Sequence, residues 1–308
     1  MLVHLDTDLG GDPDDVAALA MLLGHPDVEL TGVTTTVDPG GERAGYAGHV
    51  LALAGRSEVP VVAGAGTTLA GDLVRPLRGE HYWPRGVAPR PAPPGSALDL
   101  LAASVRRGAT VVAVGPLTNL AALSAARPER LSGVRLVVMG GWARPLGPDL
   151  PPWGPERDWN VACDVRAAEL VAAGGADLTL VTLADTLRTH LRARDLPRVR
   201  AAGPVGELLA RQAVRYAADR GYRQLARAHA GLPDDLLLFL HDPLASAVAL
   251  GWDGVCTERA RLRTAVTNGV LTWEPDGSAP AVRVVTAVDG PRFTAYWLDA
   301  VGRLAPAG

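Results

Sequence analysis

Met1-Leu-Val-His-Leu-Asp6-Thr-Asp8-Leu-Gly-Gly-Asp12-Pro-Asp14-Asp15-Val-Ala-Ala-Leu-Ala-Met-Leu-Leu23 reads as an apolar strand, an acidic turn and an apolar helix in immediate succession. A second strand-like run, Val28-Glu-Leu-Thr-Gly-Val-Thr-Thr-Thr-Val37, follows at once. Strand, helix and strand so spaced make a βαβ unit, and such a unit needs a parallel sheet. Outward from it the alternation continues, with helical spacing over 44–54, an apolar strand at 59–62, helix 97–107, strand 109–114, helix 117–126, strand 134–139, helix 164–173 and strand 178–182. Two proline-rich stretches, 75–96 and 142–157, read as long loops, a class that includes active-site lids. Residues 185–231 read as helices, another helix begins at His241-Asp242-Pro243, and the C-terminal stretch reads as edge strands and hairpins with turns at Asn268-Gly269 and Asp276-Gly277. No repeat or linker splits the chain. The predicted fold is one α/β domain over residues 1–308, an open, mostly parallel central sheet with helices on both faces and C-terminal β-hairpins.

The acidic turn carries Asp6, Asp8, Asp12, Asp14 and Asp15. Carboxylates ~5 Å apart repel by roughly 3 kcal/mol per pair at an effective dielectric of about 20. One or two would serve to cap the helix, but five call for a compensating cation, and oxygen-only donors suit a hard divalent ion. In open α/β sheets, ligands bind beyond the carboxyl ends of the strands. The Asp turn, Val37-Asp38, Val114-Gly115 and Met139 all fall at such ends, so the chemistry is expected on one rim.

Composition narrows the function. A chain of 308 residues, 48% of them hydrophobic, can bury a large core, and a formal net charge of −3 offers no basic footprint for nucleic acid or an anionic membrane. Neither partner is expected. The first apolar run is interrupted by Asp6 and no long uncharged apolar stretch follows, which suits a soluble, cytoplasmic protein. Cys163 and Cys256 are too few for a disulfide framework and read as buried small hydrophobes. All 30 basic residues are arginine, which removes Schiff-base and lysine-assisted phosphoryl chemistry.

Taken in order, Asp6-Thr-Asp8 with Asp14-Asp15, Val114-Gly-Pro-Leu-Thr-Asn119, Met139-Gly-Gly, Asp158-Trp-Asn160 followed by Asp164, and His241-Asp242-Pro-Leu-Ala form a series that resembles the nucleoside hydrolases. These are calcium-dependent N-ribohydrolases that split a nucleoside into ribose and base, and the resemblance covers nearly the whole chain. It implies that Asp8, Asp15, Asp242 and the Val114 carbonyl hold Ca2+ and that Asp8 is the general base for the calcium-bound water. It also implies that Asp14 and Asn160 bind sugar hydroxyls and that His241 stands near the leaving base. A ring of carboxylates would stabilise the oxocarbenium-like ribose formed as the base departs. The expected partner is a small nucleoside, and the expected assembly a homodimer or homotetramer.

The chain departs from the family pattern in places. Asp12 and Pro13 lengthen the acidic turn, Asp38 stands where the family often carries Gly-Asn, and Asp158 replaces a common glutamate. Asp38 and Asp158 are therefore candidate substrate contacts whose roles the pattern leaves open. Trp83, Trp142, Trp153, Trp159 and Tyr82 gather in or beside the two long loops, and Trp83 is the candidate platform for a stacked base. Two other readings of the Asp-x-Asp start are a phosphatase of the haloacid-dehalogenase type, which the absence of lysine disfavours, and a non-catalytic binder of nucleosides or polyols on the same scaffold.

Overall fold

Strand β1 (Leu2–Thr7) is buried along nearly its whole length, as a strand covered on both faces by helices must be. The computed structural model describes residues 1–73 and 79–304. After β1 come α1 (Asp14–Gly24), β2 (Glu29–Thr35), α2 (Glu42–Leu53), β3 (Val61–Ala63), α3 (Ser96–Arg106), β4 (Thr110–Ala113), α4 (Thr118–Ala126) and β5 (Arg135–Met139). The chain continues through α5 (Trp159–Cys163), α6 (Val165–Ala173), β6 (Asp177–Val181), α7 (Leu183–Thr186), β7 (His190–Arg192), α8 (Leu196–Arg200), α9 (Pro204–Asp219) and α10 (Tyr222–Ala228). It ends with β8 (Leu236–Phe239), α11 (His241–Ala249), β9 (Val255–Thr267), β10 (Val270–Pro275), β11 (Ala281–Val288) and α12 (Gly290–Gly302).

The main sheet has the order β10-β9-β11-β6-β5-β4-β1-β2-β3. Its pairs from β3 to β11 are parallel, and β9 adds antiparallel contacts to β11 and β10. The order reverses between β1 and β4, so a crevice opens beyond the carboxyl ends of these two strands. One face of the sheet is covered by α1, α11 and α12 through Leu19, Met21, Leu244 and Trp297, and the other by α3, α4 and α6 through Leu101, Leu120 and Val171. No helix among the described residues is long and apolar enough to cross a membrane.

The structure differs from the sequence-based expectation in four places. The C-terminal stretch is a hairpin pair only as far as Val288. Asp289 then caps α12 by accepting from the Arg292 N–H at 3.1 Å, and the Phe293–Trp297–Val301 face of that helix is buried. The expected all-helical 185–231 segment contributes a short strand, β7, which pairs with β8 in a separate two-stranded sheet. Of the predicted loop 75–96, residues 75–78 lie outside the described residues, and Glu80–Tyr82 form a 3₁₀ turn. Cys256 is exposed and Cys163 half-buried; Cys256 lies in the first half of β9, most of whose residues are exposed.

Trp297 is fully buried, and its indole N–H donates to the Ala17 carbonyl at 3.0 Å, which ties α12 to the helix that carries Asp14 and Asp15. Trp297→Ala is expected to cost about 3–5 kcal/mol of stability through the cavity it leaves. Urea denaturation monitored by circular dichroism measures this, and a loss under about 1 kcal/mol would contradict the packing described.

Candidate active site

The acidic turn begins where β1 ends, and its carboxylates are set by local bonds before any ligand is considered. The Thr7 hydroxyl donates to Asp15 Oδ1 and also accepts the Leu9 N–H at 3.1 Å, which curls the chain back over the end of the strand. Pro13 precedes the first turn of α1, where Asp14 and Asp15 lie, and negative charge there is favoured by the helix dipole. Asp242 occupies the equivalent place in α11, and its backbone N–H approaches Asp14 Oδ2 at 3.4 Å. Two helix N-termini thus face one carboxylate cluster. Gly115, at the end of β4, leaves room for this, since a Cβ there would lie 2.7 Å from the Asp8 nitrogen.

Asp8, Asp14, Asp15 and Asp242 are all under one-tenth exposed. Burial pushes the Asp14, Asp15 and Asp242 carboxyls well above the usual carboxylate range, and the neighbouring aspartates push them further. Burial also raises Asp8, against the pull of Arg43 and of the Trp159 indole, whose N–H donates to Asp8 Oδ2 at 2.9 Å. Asp12, Asp14 and Asp15 each offer an oxygen within 4.8 Å of the others, so this triad can hold a metal ion. The donors are oxygens alone, which fits a hard divalent ion.

Of the expected carboxylate ligands Asp8, Asp15 and Asp242, this triad contains Asp15, and several other expected residues have unforeseen partners. The Asn160 amide donates to the Val114 and Met139 carbonyls, each at 3.0 Å, so it ties the ends of β4 and β5 and fixes the Val114 carbonyl at the crevice. Asp158 accepts from the Gly141 N–H at 2.6 Å and from the Val161 N–H at 3.3 Å, capping α5, and burial pushes its carboxyl up to about 6. Asp38 accepts from the Thr35 hydroxyl at 2.7 Å and from the Arg43 and Ala44 N–H groups at 3.0 and 2.9 Å, which commits both its oxygens to the first turn of α2. Both aspartates act in the structure as caps.

Trp83 sits differently from the base platform expected of it. It is 7% exposed, stacked on Tyr46 with ring centroids 4.2 Å apart, and its indole donates to the Gly10 carbonyl at 3.1 Å. It supports the acidic turn from below, and Gly79 packs against the same turn so closely that a Cβ would meet the Gly10 oxygen at 2.6 Å. The aromatic at the mouth is Trp159, 40% exposed beside Asp8. His241 Nδ1 lies 2.7 Å from the Thr186 hydroxyl, a contact that orients the ring, and burial lowers its pKa to about 3, so the imidazole is neutral at ordinary pH.

Arg43, Tyr216 and Tyr222 also border the cluster and carried no signal in the sequence. Tyr216 approaches Asp12 Oδ2 at 3.4 Å and packs edge-on against Tyr222 and Tyr82, and Tyr222 packs on Phe239. Phe239 in turn lies against His241 and Trp153, so an aromatic wall runs from the acidic turn to His241.

Known proteins resemble this chain over most of its length. A family model described as inosine-uridine preferring nucleoside hydrolase matches residues 3–295. The pyrimidine-specific ribonucleoside hydrolase RihA of Shewanella oneidensis is 32% identical over 219 residues, covering 68% of this chain and 67% of that protein. RihA of Salmonella enteritidis is 32% identical over 220 residues, covering 68% of each. Among solved structures, the purine-preferring ribonucleoside hydrolase of Gardnerella vaginalis superposes with a TM-score of 0.83 at 26% identity, and the plant nucleoside hydrolase PpNRh1 with 0.81 at 25%, each over 99% of both chains. The chain belongs to the nucleoside hydrolase family, enzymes that act on N-glycosyl bonds.

The Asp158 shift has a signed consequence. With a folded pKa of about 6 against an ordinary 3.8, the folded chain keeps a proton that the unfolded chain loses, so this residue's contribution to stability falls as pH rises from about 4 to 6. The fall amounts to roughly 3 kcal/mol. Asp158→Asn retains an acceptor for the Gly141 N–H and is expected to flatten that part of the profile in chemical denaturation between pH 4 and 7. A slope identical to wild type would contradict the shift.

Proposed function

We propose that this nucleoside hydrolase works with calcium held by Asp8, Asp15, Asp242 and the Val114 carbonyl, with Asp12 and Asp14 closing the cluster, and that Asp8 is its general base. Supporting this reading above all is one observation: buried carboxylates from the acidic turn and from α11 face one another at two helix N-termini. The reaction itself follows from the family: a ribonucleoside is hydrolysed to ribose and free base. Calcium, when bound, supplies Lewis acidity that brings the pKa of water toward neutrality, and coordination positions for sugar hydroxyls.

The chain's own residues supply the rest. Asp8 takes a proton from the attacking water as its oxygen bonds to the anomeric carbon, and the electron pair of the broken glycosidic bond leaves with the base. The surrounding carboxylates stabilise the positive charge that develops on the ribose. Asp14 accepts from one sugar hydroxyl. Asn160, its N–H groups committed to backbone, keeps its amide oxygen to accept from another. His241, neutral and oriented by Thr186, donates a ring N–H hydrogen bond to the departing base. Trp159, exposed beside Asp8, is the aromatic open to the base, and Trp83 acts through the turn beneath it.

Asp8→Asn is expected to abolish turnover of inosine, adenosine, uridine and cytidine, as is EDTA. His241→Ala is expected to lose about 10²–10⁴-fold on these nucleosides and far less on a nitrophenyl riboside, whose leaving group needs no assistance. Steady-state kinetics by a reducing-sugar assay measures both. Equal His241→Ala losses on the two substrate types would remove the leaving-group role, and full EDTA-resistant activity would remove the metal.

A further inference from the structure

Arg43 lies under the site in an unusual state. Its side chain is 4% exposed, its Nε donates to the Val37 carbonyl at 3.0 Å, and its Nη1 stands 3.9 Å from Asp8 Oδ2. That separation is too long for a hydrogen bond, and Nη1 has no hydrogen-bond partner among the described residues. A buried charged donor left without an acceptor is costly, and such groups in native structures call for an explanation. The backbone that aims this side chain is itself strained: Val37, a β-branched residue, has φ of +56° and presents its carbonyl to Nε. Asp38, next in the chain, has both its oxygens engaged by the Thr35 hydroxyl and the first turn of α2.

We propose that Arg43 is a substrate-binding residue whose Nη1 donates a hydrogen bond to a hydroxyl of the nucleoside's sugar lying against Asp8. A hydroxyl oxygen about 2.8 Å from each group spans the gap of 3.9 Å between them, accepting from Nη1 and donating its own proton to Asp8. Asp8 thereby gains a contact to the sugar, and Arg43 gains the acceptor it lacks. The ligand is an unphosphorylated sugar, because one guanidinium beside Asp8, Asp12, Asp14, Asp15 and Asp242 cannot offset their repulsion of a phosphate. This inference rests on the nucleoside hydrolase reading and adds a residue to it.

The test compares wild type, Arg43→Gln and Arg43→Lys on inosine and uridine and on their 2′-, 3′- and 5′-deoxy analogues, with binding of D-ribose and 2-deoxy-D-ribose followed by calorimetry. Arg43→Gln is expected to lower kcat/KM on the parent nucleosides by about 10–100-fold. It is also expected to erase the penalty that wild type shows for one deoxy position, while Arg43→Lys recovers part of both. Sugar binding gives a readout that needs no turnover: wild type binds ribose, and Arg43→Gln weakens that binding. If Arg43→Gln fails to fold, the Lys variant decides, since a shorter donor should weaken the same hydroxyl contact selectively. Uniform losses with every deoxy penalty intact would make Arg43 a charge-balancing residue only and overturn the proposal. A wild-type chain that hydrolyses none of the panel would instead overturn the functional reading, and this inference with it.

Discussion

Mutual repulsion among crowded carboxylates, most of them buried, is the constraint from which the rest of the rim follows. Oxygens of Asp12, Asp14 and Asp15 lie within 4.8 Å of one another, and at that spacing each ionised pair costs roughly 3 kcal/mol at an effective dielectric of about 20. A fold that keeps such groups together must hold them from behind and compensate them in front. From behind, the structure supplies the Thr7 hydroxyl for Asp15, the Asp242 N–H for Asp14, the Trp159 indole for Asp8 and the N-terminal ends of α1 and α11. In front, a divalent cation is the compensation the donor set invites.

Topology explains why these groups meet. The strand order reverses between β1 and β4, so the loops after them diverge and leave a crevice into which the acidic turn, the Val114 carbonyl and Asn160 project. Asp242 comes from far along the chain, and reaches the same point because α11 packs against α1. The layer behind these groups is built from strand ends as well: Asn119 donates to Asp6 at 2.8 Å and to the Thr35 carbonyl at 2.9 Å, and its oxygen accepts the Ala65 N–H, which locks β1, β2 and the chain after β3 in register beneath the site.

Much of this was legible because it is local. The βαβ start, the parallel sheet and the clustering of motifs at strand ends follow from periodicity and from the acidic turn. What was not legible depends on contacts between distant residues or on the geometry of a single turn. Asp38 and Asp158 look like ligands in a sequence and act as caps in the structure, a difference set by which backbone N–H groups lie within 3.3 Å. Trp83 reads as a platform but stacks on Tyr46, and Tyr216 meets Asp12 only through the packing of α9. In α12, Phe293, Thr294, Tyr296 and Trp297 favour a strand locally; the Asp289 cap and the burial of one helical face override them.

Calorimetric titration of calcium into the chain stripped with a chelator, together with the melting temperature before and after, tests the central claim most directly. The account predicts close to one ion bound per chain, a melting temperature several degrees higher with calcium, and loss of both effects in Asp15→Asn, because an ion that binds only the folded state stabilises it. Absence of binding heat together with an unchanged melting temperature would contradict it.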